Sequence, residues 1–176
     1  RRDKRTRDIW SDIVCISECV CMAVLLARSL RGGDTLRYSI DGICGMGLNL
    51  TLDGFRCVYG MVAALMWAMT SLFARQYFKT YHNRNRFYMF FLMTFGATMG
   101  VFLSADLFSV FIFFEIMSFT SFVWVAHDET DEAMRAAYTY LAVAIIGGLV
   151  TLMGLFMLYS QTGTLSLSAL PGVIAD

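Results

Sequence analysis

The sequence predicts an all-α polytopic membrane protein, with about five transmembrane helices and a short extracytoplasmic β-hairpin. Three observations lead there. Apolar residues make up 57% of the 176 positions and charged residues only 16%, with a single proline, a composition that excludes disorder and argues against a water-soluble domain. Apolar windows long enough to cross about 30 Å of hydrocarbon as helix occur at residues 55–74, 87–104, 107–126 and 138–159. The basic residues gather in short clusters beside these windows and the formal net charge is +0. They read as topology signals and give no reason to expect nucleic acid.

The chain opens with RRDKRTR, a loop composition without a methionine. It ends LPGVIAD shortly after a span, so the sequence reads as an internal piece of something larger. Residues 1–8 are expected as a cytoplasmic loop and 9–30 as the first transmembrane helix. Within it the apolar run Ile13 to Leu30 is the weakest, because it contains Glu18 and Arg28; a soluble amphipathic helix is the competing reading. Residues 31–54 follow as an extracytoplasmic hairpin. Leu36, Tyr38 and Ile40 alternate along one strand and Leu48, Leu50 and Leu52 along the other, separated by the turn sequence DGICGMG.

After the helix at 55–74 come a cytoplasmic loop at 75–86, helices at 87–104 and 107–126, and a second cytoplasmic loop at 127–137. The last helix at 138–159 leads into the extracytoplasmic start of a further segment at 160–176. Counting Lys and Arg beside these spans tests the order. Arg1, Arg2, Lys4, Arg5, Arg7, Arg75, Lys79, Arg84, Arg86 and Arg135 fall on one side, and Arg28, Arg31, Arg37 and Arg56 on the other. The richer side is cytoplasmic by the positive-inside rule. Dropping the first span would strand the N-terminal cluster outside, which argues for keeping it. The expected location is an integral membrane protein of the cell (inner) membrane, with no secretory signal peptide in view.

Most motifs that carry chemistry elsewhere are missing. There is no Gly-rich phosphate loop, no H-E-x-x-H, no Cys-x-x-Cys and no nucleophile elbow, so no cofactor is expected in this chain. Cysteines stand at 15, 19, 21, 44 and 57 with no histidine nearby to complete a metal set, and they read as small packing residues with no metal site. Asn49 in NLT matches a glycosylation triplet, but in a strand the match reads as chance. Gly96 and Gly100 form a G-x-x-x-G that lets another helix approach, and Gly147, Gly148 and Gly154 offer the same or a local break. His82 and His127 fall in expected loops. His127, at the inner mouth of the fourth span, is a candidate for proton uptake or release.

Glu115 stands apart. In DLFSVFIFFEIMSFTSF it is the sole formal charge between Asp106 and Phe122, near mid-bilayer, where a charged side chain costs several kcal/mol by roughly any insertion scale. On a helix it shares its face with Phe111, Ile112, Ser118 and Phe119, of which only Ser118 is polar. Without a partner such a group holds a proton; beside a cation it ionises. A carboxyl poised between those states is a proton carrier, and the competing reading is a protonated packing residue in a non-transporting structural subunit. Asp106, in the turn SADL, reads first as a solvated turn residue and second as a proton uptake or release site. Glu18 is a weaker version of Glu115 in a weaker helix.

The stretches LTLDGF, RFYMFFLMTFGATMGVFLSADLFSVFIFFEIMSFTSFVWVAHDET and DEAMRAAYTYLAVAIIGGLVTLMGLFMLY resemble a known family. It comprises the antiporter-like, proton-conducting membrane subunits of respiratory complex I, Mrp-type cation/proton antiporters and membrane-bound hydrogenases. The most specific part is DLFSVFIFFEIMSF, which resembles the family's glutamate helix. The resemblance implies that Glu115 is the essential intramembrane glutamate, that the first span here is the family's second helix, and that a lysine on its seventh helix pairs with the glutamate. Opening and closing that pair would move protons. Lys4 and Lys79, both in expected cytoplasmic loops, do not fit that lysine. The resemblance further implies a respiratory or hydrogenase complex of the NADH-quinone oxidoreductase type, with redox chemistry in partner subunits. Expected partners are the lipid bilayer and other membrane subunits of a complex I, hydrogenase or Mrp assembly. VAHDETDEAM leans toward the Mrp and hydrogenase branch, where sodium–proton exchange is the alternative activity.

Overall fold

A computed structural model of the chain describes residues 2–42, 47–77 and 84–175, with side chains described from residue 8 onward except at 84 and 174–175. His82, Cys44 and Lys79 lie outside the described residues, as does the side chain of Lys4. The element order is α1 (Arg2–Leu30), β1 (Leu36–Ile40), β2 (Leu48–Leu52), α2 (Gly54–Tyr77), α3 (Arg84–Leu103), α4 (Leu107–Val125), α5 (Asp131–Thr162) and α6 (Leu170–Ala175). Five of these helices contain segments long and apolar enough to cross a membrane: Asp8–Leu30, Gly54–Tyr77, Asn85–Leu103, Leu107–Val125 and Asp131–Thr162.

Two boundaries differ most from those the sequence suggested, while α2 and α3 extend about a turn into the stretch expected as a loop between them and α5 runs on to Thr162. The basic lead is helical from Arg2, so residues 2–8 extend α1 and do not form a loop. Helix α5 begins at Asp131, well inside the stretch expected as loop. Thr130 supplies the reason: its hydroxyl accepts from the Ala133 amide at 3.1 Å, and Asp131 and Glu132 occupy the first turn, where the helix dipole favours acids. At about 1.5 Å per residue, the 32 residues of α5 run roughly 48 Å, longer than the hydrocarbon layer. A glycine in the left-handed region, Gly163 at φ 69°, ends it.

Consecutive helices pack on one another, α1 on α2, α2 on α3, α3 on α4 and α4 on α5. In lipid the drive for this is close packing, so small residues mark the contacts. On α2 they form one stripe, Gly60, Ala63, Ala64, Ala68, Ser71 and Ala74, all buried, with the Met22 thioether lying over Gly60. The core joins Cys15 and Met22 of α1 to Ala63, Ala64 and Ala68 of α2 and to Phe91, Phe95 and Met99 of α3. Aromatic rings extend it toward α4: Trp67 stacks on Phe95 at 5.6 Å and Phe91 on Trp124 at 5.9 Å. Cys15 and Cys57 are buried packing residues, and no cluster of metal-ligating groups occurs among the described residues.

The hairpin pairs Leu36 with Leu52 and Ile40 with Leu48, antiparallel, over the two stretches that the alternation marked. Burial does not alternate along it: β1 is exposed throughout and β2 half-buried throughout. Strand β2 grips the turn between α3 and α4. The Ala105 amide donates to the Asn49 carbonyl at 2.7 Å, the Asn49 amide donates to Ser109 Oγ at 2.9 Å, and Leu50 bridges to Ser104. From the other side the segment after α5 holds the same turn, with Leu107 donating to the Leu165 carbonyl at 3.0 Å and Leu167 to the Ala105 carbonyl at 3.2 Å. The start of α4 is thereby fixed from two directions.

Candidate functional site

Helix α4 starts at Asp106, whose carboxylate accepts from the Ser109 amide at 2.7 Å, from the Ser109 hydroxyl at 2.9 Å and from the Asn49 side-chain amide at 2.9 Å. Only 7% of Asp106 is exposed. The solvated turn residue expected from SADL is therefore a buried helix cap that also ties the hairpin to α4. The physical reason is that β2 covers the turn and brings Asn49, a residue distant in sequence, onto the carboxylate. The same bond occupies the side chain of the NLT triplet.

Glu115 follows nine residues on, about 13 Å along the axis at roughly 1.5 Å per residue. One face of α4 belongs to α3. Phe113 covers Gly100, the Thr98 hydroxyl donates to the Met117 sulfur at 3.4 Å, the Thr94 hydroxyl donates to Thr120 Oγ1 at 2.8 Å, and Trp124 stacks on Phe91. Residues 113, 117, 120 and 124 are spaced by four, three and four, a single helical stripe. Glu115 lies off that stripe and turns to α5. Its carboxyl group rests on Gly148: a Cβ added there would stand 2.6 Å from Oε1 and 2.8 Å from both Cδ and Oε2. Nearby, the Tyr140 hydroxyl donates to the Ser118 carbonyl at 3.2 Å and fastens α5 to α4.

Glu115 is half-buried, and among the described residues no lysine or arginine pairs with it. The ion pairs lie elsewhere. Asp53 and Arg56 pair at the start of α2, where Arg56 Nε also donates to the Ser104 carbonyl at 3.2 Å. Arg86 reaches Glu129 at 2.5 Å and donates to the His127 carbonyl at 3.3 Å. Asp12 accepts from Arg75 at 3.0 Å and from the Ser71 hydroxyl at 2.6 Å.

The other sequence-derived candidates do not converge on Glu115. Asp106 sits at the far N-terminal end of the same helix. His127 lies just past its C-terminal end, with its ring edge on Phe87 at 5.8 Å. Glu18 is half-buried on α1, which packs on α2 and α3. Of the glycines singled out, Gly100 and Gly148 are each covered by an α4 side chain, whereas Gly96, Gly147 and Gly154 have nothing within 4 Å of an added Cβ.

Sequence reasoning missed the Asp12 cluster. Asp8, Ser11, Asp12 and Cys15 are all buried on α1, and their spacing of three and four was a readable sign of one polar face running into the core. The contact between Glu115 and Gly148 had no sequence signal, because nothing local tells which of several glycines a distant acid will cover.

Residues 104–174, from the end of α3 through Asp106, Glu115 and Gly148, match the transmembrane family model described as NADH:quinone oxidoreductase/Mrp antiporter. Over 110 residues, 61% of this chain and 22% of the relative, the sequence is 34% identical to the putative antiporter subunit mnhD2 of Staphylococcus aureus (strain JH9). Over these stretches the chain is similar to antiporter-like membrane subunits of the Mrp/complex I type.

A second relative is the A/B subunit of a probable K(+)/H(+) antiporter of Rhizobium meliloti (strain 1021), 28% identical over 170 residues, 95% of this chain and 17% of that one. The chain thus spans about a fifth of the length of these curated relatives. The fold is also that of larger solved chains. One belongs to the membrane-bound sulfane sulfur reductase, an archaeal respiratory membrane complex, with TM-score 0.80 and 23% identity over 90% of this chain and 33% of the other. Another belongs to the Mrp complex from Dietzia sp. DQ12-45-1b, with TM-score 0.74 and 18% identity over 92% and 31%. The five apolar helices, together with the match of residues 104–174 to a transmembrane family model, make the chain an integral membrane protein.

Proposed function

We propose that this antiporter-like chain moves protons, with Glu115 as the reversible carrier, as part of a larger membrane assembly of the complex I, hydrogenase or Mrp kind. The observation that carries this reading is the placement of Glu115 at the middle of an apolar span, on the seam between α4 and α5, with its carboxyl against bare backbone at Gly148. A packing acid in lipid is expected to be satisfied by a neighbouring donor. Glu115 instead sits where a cation from a further helix would complete it. With that cation near, the carboxylate is stabilised as an ion pair; as the cation withdraws, the carboxyl binds a proton. A lysine on a later helix, as in the Glu–Lys relay of the family, is the proposed partner. NADH, quinone or hydrogen chemistry, where the assembly has it, is assigned to partner subunits of the respiratory chain type, and the cell membrane is the proposed location.

A second reading concerns the exchanged ion. The relatives are named as antiporter subunits, one of them K(+)/H(+), which favours a monovalent cation moving against the proton. Both readings are tested in inverted vesicles carrying the full-length protein in its native assembly. Glu115→Gln keeps size and hydrogen bonding but cannot ionise. Loss of the pH gradient with assembly intact is the expected result, and unchanged transport would refute the carrier role. Dependence of the wild-type signal on added sodium or potassium selects the exchanger.

A further inference from the structure

We infer that Gly148 is a positioning residue for Glu115, holding open the space in which the carboxyl group rests between α4 and α5. The inference rests on the carrier reading above and extends it to a second residue on a second helix.

The geometry is specific to this glycine. All three carboxyl atoms of Glu115 fall within 2.8 Å of where a Gly148 Cβ would be, while its neighbour Gly147 and the later Gly154 have nothing within 4 Å. Gly148 is buried and Gly147 exposed. The three glycines therefore share a helix and a residue type but not a role. Neither is the space explained by helix approach, because what fills it is the tip of an acid and not the backbone or ring of a packing residue. At Gly100, by contrast, the filler is the Phe113 ring.

A methyl group at 148 cannot coexist with the carboxyl where it stands. The carboxyl is the end of a flexible side chain, so the acid will be displaced by rotation about its own bonds while the helices stay in place. The consequence is a folded protein whose proton carrier is misplaced relative to the groups it exchanges with. Misplacement on the scale of an ångström is costly to a step that depends on hydrogen-bond distance.

The test compares Gly148→Ala with Gly147→Ala in the full-length protein within its assembly. Both replace a helical glycine by alanine, and both gain the same helix propensity. Only the first meets Glu115. Gly148→Ala is expected to lower the transport rate about tenfold with normal assembly, and Gly147→Ala to stay within about twofold of wild type. Glu115→Asp provides the second arm, because its acid is one carbon–carbon bond shorter and leaves room for the methyl. On that background Gly148→Ala is expected to cause no further loss, a non-additivity that a general weakening of α5 would not produce. This arm also stands if Gly148→Ala alone fails to assemble, since the double variant should then assemble as Glu115→Asp does. Equal loss from both alanines, wild-type transport by Gly148→Ala, or an unchanged penalty on the Asp background would each overturn the inference while leaving the carrier role of Glu115 intact. Normal transport by Glu115→Gln would instead remove the reading on which the inference stands.

Discussion

Asp106→Ala removes at one stroke the three hydrogen bonds that hold the start of α4. The helix cap to the Ser109 amide is worth about 1 kcal/mol. The Ser109 hydroxyl and the Asn49 side-chain amide then face a buried gap without an acceptor, at about 1 kcal/mol each. The sum is about 3 kcal/mol, roughly a hundredfold in the ratio of folded to unfolded protein. Asp106→Ser restores the cap but does not reach Asn49, and Asp106→Asn turns one acceptor into a donor aimed at the Asn49 amide. Each should cost about 1–2 kcal/mol. Thermal unfolding of the purified full-length protein in detergent, followed by circular dichroism, gives the order: alanine lowest, serine and asparagine between, wild type highest. Transport measured in parallel should fall in proportion to stability. An Asp106→Asn variant with wild-type stability and no transport would refute a purely structural role and place Asp106 on the proton path as an acid.

Three further outcomes follow from the packing. Asp12→Ala strands the fully buried Ser71 hydroxyl and, less seriously, the half-exposed Arg75 guanidinium, and should lower stability by about 1–3 kcal/mol in the same unfolding measurement; Asp12→Asn, which still accepts from Ser71, should cost less. Gly100→Ala drives a methyl into the Phe113 ring and should cost about 1–3 kcal/mol, whereas Gly96→Ala, with open space around it, should be neutral or stabilising by that assay. Thr130→Ala should loosen the first turn of α5 by about 1 kcal/mol, read as faster amide exchange confined to residues 131–134, and Thr130→Ser should retain protection.

The spans and the hairpin were legible because each follows from a local pattern: apolar runs of membrane length, and strict alternation at Leu36–Ile40 and Leu48–Leu52. The start of α5 is written in the sequence too. Thr130 with Asp131 and Glu132 is a helix-start signal, masked by the density of charge around it, which resembles a solvated loop. Asp106 shows the limit. Its residue type fits a turn and a cap equally, and only the tertiary placement of Asn49 decides between a wet and a dry carboxylate. Glu115 stands out in the sequence as a candidate because a charge inside an apolar span is conspicuous wherever the helix points. Its direction, toward α5 and away from the aromatic core, depends on how the stripe Phe113, Met117, Thr120 and Trp124 docks on α3. That in turn is set by Gly100, Thr94 and Thr98 on the other helix.

The most direct test of the proposed role is the protonation of Glu115 itself. Infrared difference spectra of the full-length assembly, recorded between resting and energised states, report the carbonyl stretch of protonated carboxyl groups. A carboxyl band should appear or vanish on energisation, shift in deuterium oxide, and be missing in Glu115→Gln. A spectrum in which Glu115→Gln changes nothing between the two states would mean that this carboxyl keeps one protonation state throughout, and that it does not carry the proton.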